Sequence, residues 1–133
     1  SPGTSSLALR GTETVLLAED APAVRAAARQ VLERHGYTVL EAPGARAALG
    51  IAHKRPGAIH LLLTDVVMPE MSGRQLAEEV TASRPEVKVL YMSGYTDDAV
   101  VRHGVLEPGI AYLQKPFTPE ALARKVREVL GQG

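Results

Sequence analysis

The sequence predicts an α/β domain: one parallel sheet with helices on both faces. Three observations carry this. Short apolar runs alternate with amphipathic stretches five times along the chain. Runs such as Val15-Leu16-Leu17-Ala18 and Leu61-Leu62-Leu63 lack the in–out alternation of a half-exposed strand, so they read as strands covered on both faces. Each run then stops at a polar residue or a turn signal, and a crossover helix follows.

Residues 1 to about 11 are Ser, Gly, Thr and Pro with little apolar content, and 1–13 reads as a flexible linker before a folded domain over 14–131. Val15 to Ala18 is the first strand, and it ends in Glu19-Asp20. Asp20 is expected to cap the first helix, with Pro22 in its first turn. Val24, Ala28, Val31, Leu32 and His35 give that helix one apolar face, and Gly36 stops it. Tyr37 to Leu40 is a mixed strand suited to a sheet edge. A helix from about Gly44 to Lys54 carries Ala45, Ala48, Leu49 and Ala52 on one side and breaks at Arg55-Pro56-Gly57.

The third strand begins near Ile59 and runs to Asp65. Ser72 with Gln75 has the capping-box form, and the helix behind it buries Leu76 and Val80. Val87 to Met92 is the fourth strand, stopping at Ser93-Gly94. Thr96, Asp97 and Asp98 open a short fourth helix that Gly104 and Pro108-Gly109 close. Ile110 to Leu113 is the fifth strand, ending at Gln114-Lys115-Pro116. Thr118 caps the fifth helix, Pro119 begins it, and Leu122, Val126, Val129 and Leu130 form its inner face.

Composition excludes several classes. A chain of 133 residues is the size of one domain, and 45% hydrophobic residues supply a core. Fifteen basic residues balance fifteen acidic ones, so no net field holds nucleic acid. The absence of cysteine rules out disulfides and thiolate metal sites. No apolar run approaches the ~20 residues of a membrane span, and no signal peptide is visible. The expectation is a cytoplasmic domain without membrane contact of its own, whatever anchors its parent chain. His35, His53, His60 and His103 show no metal-ligand spacing.

The chemistry gathers at the strand ends. Asp20 ends the first strand, Asp65 the third, Ser93 the fourth and Lys115 the fifth. In a parallel sheet these ends share one edge, the edge where open α/β sheets bind ligands. Singly, each residue has a plain reading: a helix cap, a turn residue, a turn serine, a solvated lysine. Together those readings do not explain one shared edge. The chemistry that uses the set is phosphoryl transfer to a carboxylate, with Asp65 as nucleophile. Glu19 and Asp20 beside Asp65 form an all-oxygen site of the kind Mg²⁺ prefers, and the Val67 backbone carbonyl is a further candidate ligand. Lys115 supplies positive charge and Ser93 a hydrogen bond to the phosphoryl oxygens.

Four segments then show a family resemblance: Leu16-Leu17-Ala18-Glu19-Asp20; Thr64-Asp65-Val66-Val67-Met68-Pro69 with Ser72-Gly73; Met92-Ser93-Gly94-Tyr95; and Lys115-Pro116-Phe117. With these, the chain resembles the receiver domain of two-component response regulators over about Thr14 to Leu130. The wording of the Asp65 and Ser93 segments is most similar to receivers at the C-terminus of hybrid histidine kinases. The resemblance implies a flavodoxin-like sheet of order 2-1-3-4-5 and phosphorylation of Asp65 from a kinase phosphohistidine. It implies Mg²⁺, with Mn²⁺ as substitute, at Glu19, Asp20, Asp65 and the Val67 carbonyl. It implies a cis Lys115–Pro116 peptide, and a switch in which Ser93 and Tyr112 alter the face of the fourth helix, fifth strand and fifth helix. That face would serve a dimer or effector contact. A kinase or histidine phosphotransfer domain would dock on the first helix, where Ala23, Ala26, Ala27 and Gln30 fall off the core stripe. The domain is then not a stand-alone enzyme, although it catalyses its own aspartyl phosphorylation and dephosphorylation. Val67 and Tyr95 flank the path of a hydrolytic water and are expected to gate it.

Other classes fit less well. A phosphoaspartate-forming phosphatase needs a second aspartate where Val67 stands. A flavodoxin-type carrier needs a glycine- and hydroxyl-rich loop where Glu19-Asp20-Ala21-Pro22 would repel a phosphate. A pseudo-receiver would lack the acceptor or the lysine.

Overall fold

The computed structural model of the protein describes residues 11–94 and 111–131. Five strands form one parallel sheet: β1 (Thr14–Ala18), β2 (Thr38–Ala42), β3 (Leu61–Asp65), β4 (Lys88–Ser93) and β5 (Ala111–Gln114). Their order is β2-β1-β3-β4-β5. The described helices are α1 (Pro22–Arg34), α2 (Ala45–Lys54), α3 (Gly73–Ser83) and a C-terminal helix (Pro119–Leu130). The expected short helix opened by Thr96 lies outside the described residues, as does Tyr95.

β1 and β3 are buried along their whole length, as their unbroken apolar runs require. Period-two alternation divides their side chains between two cores. Leu16, Leu62 and Tyr91 pack with α2 and α3 residues such as Ala48, Leu76 and Val80. Val15, Leu17, Leu61, Leu63 and Met92 pack on the other face, with Leu32 of α1 and Leu122 and Val126 of the C-terminal helix. β2, at the sheet edge, is the most exposed of the first three strands. No described helix is long and apolar enough to cross a membrane.

Local side-chain caps place two of the four described helix starts. Ser72 accepts a hydrogen bond from the Gln75 amide and the reciprocal bond closes the capping box. Thr118 Oγ1 accepts from the Ala121 amide at 3.0 Å. Gly36 takes φ +95 just past α1. The start of α1 differs from expectation. Pro22 occupies its first turn, so Ala21 is the capping position and no side chain caps it; Asp20 sits one residue too early. The Ala21 amide instead donates to Glu19 Oε2 at 2.9 Å, which leaves Asp20 exposed and without capping duty.

Candidate functional site

The parallel register delivers the site. Ala18 pairs with Thr64, Asp65 with Met92 and Ser93 with Gln114, so the polar residues at or just beyond these positions share the carboxyl edge. Backbone bonds continue the ladder past the strands. The Glu19 amide donates to the Ala42 carbonyl at 3.1 Å, and the Lys115 amide donates to the Ser93 carbonyl at 2.7 Å. The Lys115–Pro116 peptide is cis.

Asp65 ends β3 as a buried residue, with Lys115 Nζ paired to its Oδ1. The same ammonium donates to Glu19 Oε1 at 2.7 Å. Glu19 is 1% exposed and its second oxygen is occupied by the Ala21 amide. Asp20 completes a set of three carboxylates whose nearest ligand atoms lie within 4.8 Å of one another. The structure therefore brings Glu19, Asp20, Asp65 and Lys115 together. Ser93, 4% exposed at the end of β4, carries a buried Oγ with no hydrogen-bond partner among the described residues. A buried hydroxyl without a partner is costly, and it is the kind of group a bound phosphoryl oxygen would satisfy.

Two carboxylates sharing one lysine leave an excess of negative charge. Burial, followed by the neighbouring Glu19, pushes the Asp65 carboxyl up to about 8. Burial also opposes ionisation of Glu19, but hydrogen bonds from Asp65, Lys115 and the Ala21 amide outweigh it and hold Glu19 below its ordinary value. Burial likewise opposes the charge on Lys115, and the two carboxylates outweigh it and raise that group. Of the two acids, Asp65 is the one whose ionisation the site opposes, because it has fewer compensating donors.

The carboxylate set suits a hard cation. All its donors are oxygens, and exposed Asp20 leaves one side open to water. Val67, two residues past Asp65, is 55% exposed at the mouth. Tyr112 on β5 is half-buried, packed against the core beneath α2 and α3, and pairs with Tyr91 in the register. Gly73 closes the loop behind the acceptor: its amide donates to the Val66 carbonyl at 2.8 Å, and a Cβ there would strike the Asp65 carbonyl oxygen. Only glycine permits that approach.

A model of the response regulator receiver domain matches residues 15–127, and the chain belongs to that family. It is 40% identical over 122 residues to the sensor kinase CckA of Brucella abortus, covering 92% of this chain and 13% of that kinase's length. It is 32% identical to the response regulator receiver protein CpdR of the same organism, covering 87% of this chain and 95% of CpdR. Among solved structures, the receiver domain of the hybrid histidine kinase CckA superimposes with TM-score 0.73 at 32% identity, covering 89% of this chain and 99% of that one. Vibrio cholerae CheY4 superimposes with TM-score 0.77 at 26% identity, covering 90% and 99%.

Residue reasoning missed two contributors near the site. Glu70, in the loop after the acceptor, hydrogen-bonds across to the start of α2. Gly44 makes space for its carboxylate. A usable signal existed: α2 has a glycine at its capping position and no acid in its first turn, so its free amides had to find an acceptor elsewhere.

Proposed function

We propose that this domain takes a phosphoryl group from the phosphohistidine of a histidine kinase or phosphotransfer domain onto Asp65, with Mg²⁺ bound. The single observation that carries this reading is the pairing of buried Asp65 with Lys115 beside the Ser93 hydroxyl, which is partnerless among the described residues. In the transfer, an Asp65 carboxylate oxygen bonds to phosphorus as the phosphorus–nitrogen bond breaks, and the imidazole leaves. Lys115 and Ser93 hold the phosphoryl oxygens, the first as a charge and the second as a hydrogen-bond donor. Glu19, Asp20, Asp65 and the Val67 carbonyl would hold Mg²⁺, or Mn²⁺ in its place, and the ion would neutralise charge between carboxylate and phosphoryl group.

The folded unit is residues 14–131 with its approach pinned to it: the Gly11 amide donates to the His35 carbonyl and Glu13 pairs with Arg127, so the expected linker over 1–13 is corrected at its last residues. Similarity to CckA favours origin in a hybrid kinase of the cytoplasm. The partner docks on α1, where Ala23, Ala27 and Gln30 are exposed and Ala26 half-exposed. Small side chains there admit a second helix close to Asp65. On phosphorylation Ser93 moves to the phosphoryl oxygens and Tyr112 turns toward the vacated space, changing the face that includes β5 and the C-terminal helix.

Intact mass after treatment with acetyl phosphate and Mg²⁺ tests the assignment. The wild type is expected to gain one phosphoryl group and Asp65→Ala none. Undiminished labelling of Asp65→Ala would overturn it.

A further inference from the structure

We propose that Glu70 is a positioning residue for the acceptor loop, clasping the segment after Asp65 onto the N-terminus of α2; this rests on reading Glu19, Asp20, Asp65 and the Val67 carbonyl as the Mg²⁺ site. The loop from Val66 to Gly73 is anchored by backbone at its ends. The Val66 amide donates to Met92, and the Gly73 amide closes back onto the Val66 carbonyl at 2.8 Å. Between those anchors Met68 is buried, whereas Val67, Pro69 and Glu70 face outward.

The Glu70 carboxylate ties residues 67–71 to the rest of the described fold, alongside a 4.0 Å contact of Thr64 Oγ1 with Met68 Sδ. Glu70 Oε1 accepts the Arg46 backbone N–H at 3.1 Å, and Oε2 lies 3.9 Å from Arg46 Nε. Helix α2 needs this acceptor, because Gly44 offers no side chain to its free amides. A carboxylate at that end also meets the positive end of the helix dipole.

Gly44 independently supports the clasp. Its backbone is extended, at φ −171, so the conformation does not demand glycine. A Cβ at this position would lie 2.9 Å from Glu70 Oε1. The missing side chain therefore leaves room for the carboxylate. Asp20, the exposed member of the carboxylate set, shares a cleft of about 280 Å³ with Pro43, Gly44, Pro69 and Glu70. The clasp and the cation site thus share a wall. Val67 stands three residues before Glu70, so fixing Glu70 limits the excursions of the Val67 carbonyl.

The test is Mg²⁺ affinity by titration calorimetry on the whole chain, with thermal melts confirming that each variant is folded. Glu70→Ala is expected to bind Mg²⁺ about tenfold more weakly, in the range for loss of a group that orients a metal site. Gly44→Ala keeps every charge but displaces the carboxylate, and is expected to lose about threefold. Glu70→Gln keeps an acceptor for the Arg46 amide and is expected to stay within about twofold of wild type. Wild-type affinity in both Glu70→Ala and Gly44→Ala would overturn the clasp. Equal weakening in Glu70→Gln and Glu70→Ala would also overturn it, by showing a charge effect rather than positioning. Acetyl phosphate labelling of wild-type Asp65 reports separately: failure to label, with Mg²⁺ affinity still responding to the variants, would overturn the phosphoacceptor reading and leave the clasp standing.

Discussion

The two edges of the sheet handle polar groups in opposite ways. At the amino edge, charged side chains are matched to partners. Arg84, just past α3, donates from Nε to the Ala52 carbonyl, from Nη1 to Gly57 and from Nη2 to Arg55, at 2.8, 3.0 and 2.6 Å. That one guanidinium joins the end of α3 to the end of α2. Arg127 of the C-terminal helix pairs with Glu13 at 2.7 Å and donates to the Tyr37 hydroxyl at 3.2 Å, tying together the approaches to β1 and β2. The carboxyl edge is mismatched. Two carboxylates compete for Lys115, Asp65 is pushed up to about 8, and Ser93 Oγ lacks a partner among the described residues. Saturated polar groups hold a fold; groups left short of partners are waiting for a ligand.

If this contrast is right, substitutions at the two edges should affect different observables. The largest stability loss is expected at the amino edge. Arg84→Ala removes the donor from three carbonyls and should lower unfolding free energy by about 2 kcal/mol in urea titrations. Acetyl phosphate labelling of the folded fraction should be unchanged. Loss of labelling in fully folded Arg84→Ala would break the division between edges.

The next effect is kinetic and belongs to the carboxyl edge. Val67→Asn combined with Tyr95→Glu should hydrolyse the acyl phosphate about tenfold faster, or ~1.4 kcal/mol of barrier, because water is admitted and oriented near phosphorus. Decay of the phosphorylated species after donor removal, at fixed Mg²⁺, measures it. Unchanged or slower decay would show that these positions do not gate water.

A third effect has the opposite sign from that of Arg84→Ala. Burial and the neighbouring Glu19 push the Asp65 carboxyl up to about 8 in the folded state, against an ordinary value of 3.8. The unfolded chain therefore releases the Asp65 proton first, and the Asp65 contribution to stability declines as pH rises from about 4 to 8. Glu19, held below its ordinary 4.5, works the other way: its contribution is present above that value and fades as pH falls through its folded value. Asp65→Asn removes the first dependence and weakens the second, because a hydrogen bond from Asp65 helps hold Glu19 down. Without Mg²⁺ its stability relative to wild type should rise as pH goes from about 4 to about 8, with the difference vanishing near pH 4. A constant difference across that interval would show that Asp65 is not pushed up in the folded state.

Much of this was legible in residues close together in sequence. Buried strands announce themselves through their own apolar runs, as at Leu61 to Leu63. Caps such as Ser72 and Thr118 act on amides three residues away. Strand-end placement of Asp65, Ser93 and Lys115 follows once the sheet is parallel, because all its strands point the same way. The misplaced cap at Asp20 shows the limit of local reading: Asp20 is a good capping residue, but Pro22 shifted the helix start by one position and Glu19 took the amide instead.

Tertiary structure alone decided which acid is pushed up and which is held down, since that depends on burial and on the donors each carboxylate receives. It also decided that Arg84 would close α2, and that Glu70 would cap that helix from 24 residues away. Periodicity and capping are set by covalent neighbours, so composition along the chain encodes them. Hydrogen bonds between distant loops, and the charge balance of a buried cluster, exist only when the sheet has brought those loops to one edge.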